Sequence, residues 1–67
     1  MHNIEINYSS YDNPFECNNL YIQMDYSNCT IEDIFNECDS TYLIKKELIN
    51  FIIVKDSSNN VVDEFSW

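Results

Sequence analysis

Twelve carboxylates, one histidine, three cysteines and five tyrosines are the side chains of this 67-residue chain that could do chemistry. Nucleophilic catalysis needs a serine or cysteine beside a base, and His2, the lone histidine, lies in a terminus expected to fray. No G-x-S-x-G or similar elbow presents a serine for attack. Phosphate-cradling loops are built from glycines with lysine or arginine, and this chain has no glycine and no arginine. Cys17, Cys29 and Cys38 include no C-x-x-C, so neither a zinc ribbon nor a thioredoxin-type redox site fits. They are expected to stay reduced and to pack as small apolar residues. Asp56-Ser57-Ser58-Asn59-Asn60 has the oxygen-rich start of an EF-hand loop. Its sixth position is Val61 where glycine makes the sharp turn, and its twelfth is Trp67 where glutamate gives a bidentate ligand. A plain hairpin loop is the expectation, with no metal, no cofactor and no catalytic site.

What remains for the carboxylates is charge. Twelve acids against three lysines give a formal charge of −9. That argues against direct contact with nucleic acid or with an anionic membrane. No apolar run approaches the ~20 residues of a membrane span. The N-terminus lacks the basic and apolar regions of a signal peptide, so a cytoplasmic protein is expected. The acid is uneven. Residues 1–39 hold eight acids and no lysine, whereas residues 40–67 hold four acids and all three lysines.

Positioning these groups falls to a single small domain covering residues 1–67. Residues 3–8 alternate, with Ile4, Ile6 and Tyr8 opposing Asn3, Glu5 and Asn7, which reads as a half-buried strand. Residues 9–18 are turn-rich, and Pro14 blocks a regular element there. Residues 19–26 alternate again, with Leu20, Ile22, Met24 and Tyr26 on the apolar face. These two strands are expected to pair antiparallel. Thr30 then caps a helix whose first turn carries Glu32 and Asp33, although aspartate is not the usual capping-box partner. Ile31, Ile34, Phe35 and Cys38 make one narrow apolar stripe. Glu37 and Asp39 fall near its negative end. Residues 40–47 fit either a second helical turn or a strand through Tyr42-Leu43-Ile44. Residues 48–54 are apolar on both faces and β-branched, as in a central strand. Residues 56–60 make a hairpin loop, and Val61 to Trp67 form the closing strand, with Val61, Phe65 and Trp67 on one side. The fold class is α+β, a ββαββ domain with a four-stranded, mainly antiparallel sheet crossed by one helix. With no glycine, positive-φ positions are expected at Asn18, Asn19, Asn28, Asn59 or Asn60.

Carboxylates two apart on a strand lie ~7 Å apart and neighbouring strands ~4.8 Å. Glu5, Asp25, Glu32, Asp33 and Glu37 are therefore expected to form an anionic lattice that imitates a phosphate backbone. Tyr11 and Tyr21 would serve as exposed anchors. The expected partner is the basic surface of a nucleic-acid-binding protein, reached by electrostatic steering. In size, charge and element order the chain resembles the small acidic inhibitors that phages and mobile elements encode against host nucleic-acid enzymes. Anti-CRISPR proteins and inhibitors of uracil-DNA glycosylase belong to that class. The resemblance implies a DNA mimic that blocks a CRISPR effector or another defence or repair nuclease in the host cytoplasm. The alternative is a small structural or regulatory subunit that associates, with itself or with a larger protein, through the apolar C-terminal hairpin, including a homodimer through an edge strand.

Overall fold

Period-two alternation and one helical stripe dictate the architecture, and the computed structural model, which describes residues 1–66, follows them. The strands are β1 (His2–Ser9), β2 (Cys17–Met24), β3 (Ile49–Lys55) and β4 (Val61–Ser66), and the helix α1 spans Ile31–Tyr42. Short 3-10 turns occupy Tyr26–Asn28 and Lys46–Leu48. The sheet order is β2-β1-β3-β4, with every neighbouring pair antiparallel. This is the ββαββ layout expected from the sequence.

The core is built from one side of the sheet. Ile4 and Ile6 of β1, Ile22 of β2, and Ile52 and Val54 of β3 pack with Ile34, Phe35 and Cys38 of α1. Ile44 and Ile49 complete the buried cluster, and no polar or charged residue among the described residues is buried. Ile4 stands opposite Ile22 and Val54 in register, so the three central strands present one continuous apolar face. A buried isoleucine contributes about 1.5–3 kcal/mol. In a chain this short a single core rarely leaves more than about 3–5 kcal/mol net, so each of these contacts matters.

The start of α1 is better made than its sequence promised. The Asp33 backbone N–H donates to Thr30 Oγ1 and the Thr30 N–H donates to Asp33 Oδ2, a complete capping box with aspartate in the usual glutamate place.

Its end corrects the sequence reading twice. Ser40, Thr41 and Tyr42 continue α1 and the 3-10 turn Lys46–Leu48 follows, so of the two alternatives for residues 40–47 the short helical turn forms, a few residues late, and the strand through Tyr42-Leu43-Ile44 does not. Glu37 therefore sits in mid-helix, away from the negative terminus. Leu43 stops the helix in the left-handed region at φ 58°, and both its N–H and that of Ile44 donate to the Cys38 carbonyl. Asparagine does fill the other positive-φ position among the described residues, Asn59 in the β3–β4 loop.

Smaller differences follow from turns and bulges. Strand β2 runs two residues earlier than its alternation suggested, which puts Tyr26 in the 3-10 turn. His2 is not frayed: it is half-buried in β1, and its Nδ1 accepts the Tyr26 N–H at 3.2 Å. The register of β4 shifts between its pairings with Val54 and Lys55. Val61 pairs with Lys55 and Asp63 with Val54, leaving Val62 as the extra residue. The bulge separates Val61 from the face of Phe65; Trp67 lies outside the described residues.

Leu43 is 81% exposed, so its side chain offers little packing to offset its left-handed backbone. Leu43→Asn should raise stability by about 0.5–1 kcal/mol in chemical denaturation. An unchanged or lower midpoint would show that Leu43 holds a contact worth more than its backbone strain.

Candidate functional site

With the one helix on one side, no other described element covers the opposite face of the sheet. Register places Asn3, Glu5 and Asn7 of β1 on it, beside Gln23, Tyr21 and Asn19 of β2. On the other flank of β1 stand Lys55, Ile53 and Phe51. Amides pair across the strands and satisfy one another. Gln23 Nε2 donates to Asn3 Oδ1 at 3.1 Å, and Asn7 Nδ2 donates to Asn19 Oδ1 at 2.8 Å. Asn50, the extra residue of a second bulge, donates through Nδ2 to Asn7 Oδ1 at 2.9 Å and to Ser9 Oγ at 3.1 Å. Between these rows lies a third, Tyr21–Glu5–Ile53–Glu64, which contains two carboxylates and no amide. A groove of about 440 Å³ opens on this face beside Glu5 and Tyr21, walled by Asn59 and Lys55. Sequence reasoning placed Glu5 and Tyr21 on polar strand faces but missed the amide rows. The signal was there, as asparagine or glutamine at alternate positions of both strands.

The five carboxylates expected to form one lattice do not share a face. Glu5 and Tyr21 lie on the bare side, while Glu32, Asp33 and Glu37 belong to the helix that covers the opposite side. Asp25 precedes the turn that leads to the helix. Tyr11 sits in the β1–β2 connection at the other end of β2, and it is 86% exposed. Phe15, in the same connection, is 94% exposed, so the apolar tip of that hairpin stands in solvent.

The helix acids are also less free than the charge count implied. Lys46 Nζ reaches Glu32 Oε1 at 3.7 Å and lies 4.8 Å from the centre of the Phe35 ring. Lys45 Nζ donates to Asp39 Oδ1 at 2.9 Å. That hydrogen bond, and the Asp39 charge behind it, raise the Lys45 pKa. Asp33 is committed to the capping box, Glu37 accepts from Thr41 Oγ1 at 2.9 Å, and Asp25 accepts from Asn28 Nδ2. Among the described residues, Glu5, Asp12, Glu16, Glu47 and Glu64 carry no side-chain hydrogen bond or ion pair. Of the five expected phosphate substitutes, only Glu5 is unengaged.

The corner where the 3-10 turn meets α1 gathers Asp25, Tyr26, Cys29 and Asp33. Partial burial raises the Cys29 pKa, and the carboxylates of Asp33 and Asp25 push it further. Cys38 is fully buried, which drives its thiol up to about 11, with a smaller push from Glu37. Such a thiol is a packing group and not a nucleophile. Cys17 is exposed and Cys29 half-buried, so only Cys38 matches the expected apolar role. No three His, Cys, Asp or Glu side chains among the described residues come together as metal ligands. No helix among them is long and apolar enough to cross a membrane. In the hairpin loop, Asp56 accepts backbone N–H bonds from Asn60 and Ser58, which lower its pKa.

Tyr26 ties this corner to the far edge of the sheet, its Oη donating to Asp63 Oδ2 at 2.7 Å. Burial first, then that hydrogen bond and the Asp63 charge, push the phenol from 10 up to about 12. The folded state thus holds this proton more tightly than the unfolded chain. The tie contributes fully below pH 10 and is lost as pH rises towards about 12. Alkaline titration of the phenols by absorbance should lose a component near pH 12 in Tyr26→Phe, and the variant's stability should depend less on pH between 10 and 12. A Tyr26→Phe curve identical to the parent's would contradict the tie. Comparison with protein-family models, with curated proteins and with solved structures finds no match to this chain.

Proposed function

We propose that this protein binds the basic nucleic-acid-binding surface of a host enzyme and blocks it, as do the phage-encoded anti-CRISPR-type inhibitors that it resembles. On this reading the target is a CRISPR effector or another defence or repair nuclease, and the protein acts in the host cytoplasm without catalysis. The observation that carries the reading is the imbalance left after internal pairing. Two of the three lysines are spent in ion pairs on the helix side, while five carboxylates stay unengaged among the described residues. An excess of this kind steers the molecule towards cationic surfaces and repels nucleic acid. The reading rests on this net field. It does not rest on a phosphate-spaced lattice, because the expected acids divide between the two sides of the sheet.

Capture from a bacterial lysate on the tagged protein tests it, at about 50 and 500 mM salt, with duplex DNA as competitor. The captured protein should be a nucleic-acid-binding enzyme, released by DNA and held at least about tenfold more weakly at the higher salt. Capture that is indifferent to salt and to DNA would contradict charge-driven docking.

A second reading has its own support. Strand β4 is an outer strand with one side unpaired, and Val61 and Val62 on it are about half exposed. Such an edge is a template for strand addition. If the protein is instead a subunit that pairs through β4, light scattering should report a dimer that survives Glu32→Lys and Glu37→Lys and dissociates with Val62→Lys. A monomer at all concentrations would remove this reading.

A further inference from the structure

We propose that the partner docks on the bare sheet face and not on the helix, with an arginine side chain held between Glu5 and Tyr21; this rests on the cationic-partner reading above. Glu5 is half-buried at the middle of β1, flanked in its row by Tyr21 and Ile53, and its carboxylate has no hydrogen bond or ion pair among the described residues. A partly desolvated charge without a partner gains more from a new counter-ion than a fully hydrated one does. Tyr21 stands directly opposite in register, which brings the two Cβ atoms to ~4.5–5.5 Å, and the residue is 68% exposed. A carboxylate beside an open aromatic face suits a planar guanidinium, which can bond the carboxylate in bidentate fashion while stacking on the ring.

The groove supplies the rest of the recognition. Besides Glu5 and Tyr21 its lining includes Asn3, Gln23, Lys55 and Asn59. Gln23 uses its N–H₂ on Asn3, which leaves its Oε1 to accept one of the remaining guanidinium N–H groups. Lys55 is the one cation on this face among the described residues, and it makes no ion pair with Glu5. Placed across Asn3 on the side away from Tyr21, it opposes an incoming cation without occupying its place. The helix acids offer nothing equivalent, since Glu32 is paired with Lys46, Asp33 caps the helix and Glu37 holds Thr41.

The test is an amide NMR titration of the full chain with blocked hexa-arginine and hexa-lysine peptides at low salt. Shifts should centre on residues 3–5 and 21–23, and the arginine peptide should bind about tenfold more tightly than the lysine peptide. Glu5→Gln should abolish that preference, Tyr21→Phe should keep it and Tyr21→Ala should lose it. Lys55→Met should strengthen binding, and Glu37→Gln should leave it unchanged. Shifts centred on residues 33–37, equal affinity for the two peptides, or weaker binding by Lys55→Met would overturn this site while leaving a cationic partner intact. No shift with either peptide would overturn both.

Discussion

One amphipathic helix set against a four-stranded sheet can cover only one of the sheet's two faces, and the rest of the molecule follows from that. The stripe Ile34, Phe35 and Cys38 meets Ile4, Ile6, Ile22, Ile52 and Val54, and these contacts exclude water from a single side. Because side chains alternate along a strand, every residue next to a core isoleucine of β1 is turned outward. Asn3, Glu5 and Asn7 are therefore the surface counterpart of the core. The same alternation that buries Ile4 and Ile6 presents Glu5.

A bare sheet face is a hazard unless it is kept wet, and this one is kept wet mostly by amides. Asn3, Asn7, Asn19, Gln23 and Asn50 bond to one another across strands, giving the face hydrogen-bonding capacity without concentrating charge. Apart from Glu5 and Lys55 on the central strands, charge is distributed over the helix layer, the loops and the sheet edges, and the lysines that follow the helix fold back onto it. Lys45 and Lys46 are remote from the acids of residues 1–39 in the composition count, yet they pair with Asp39 and Glu32 in space. The effect is to quiet one flank of the helix and to leave Glu5 the one unengaged member of the five acids expected to act together.

Most of the elements were legible in the sequence, because they rest on local periodicity. The alternation of residues 3–8, the Thr30 cap, the stripe from Ile31 to Cys38, the β-branched run and the loop at residues 56–60 all appear where they were expected. The end of the helix was not legible. Helices commonly close on glycine, and here Leu43 takes the left-handed position against its own preference. The two bulges were equally hidden, since neither Asn50 nor Val62 carries a signature of being an extra residue. For the candidate site, the exposure of Tyr11, Phe15 and Tyr21 could be read from their polar surroundings. The division of the acids between two faces could not. It depends on which side the helix covers and on where two lysines land, and both are set by tertiary packing.

The most direct measurement of this arrangement is the broadening of isoleucine methyl signals by a soluble paramagnetic chelate in the free protein. Ile52 and Ile53 are adjacent in β3 and face opposite ways, so each serves as the other's control. Ile53 should broaden strongly while Ile52, Ile4 and Ile34 stay protected. Equal protection of Ile53 and Ile52 would mean that the second face is covered in solution, and the proposed docking surface would not exist.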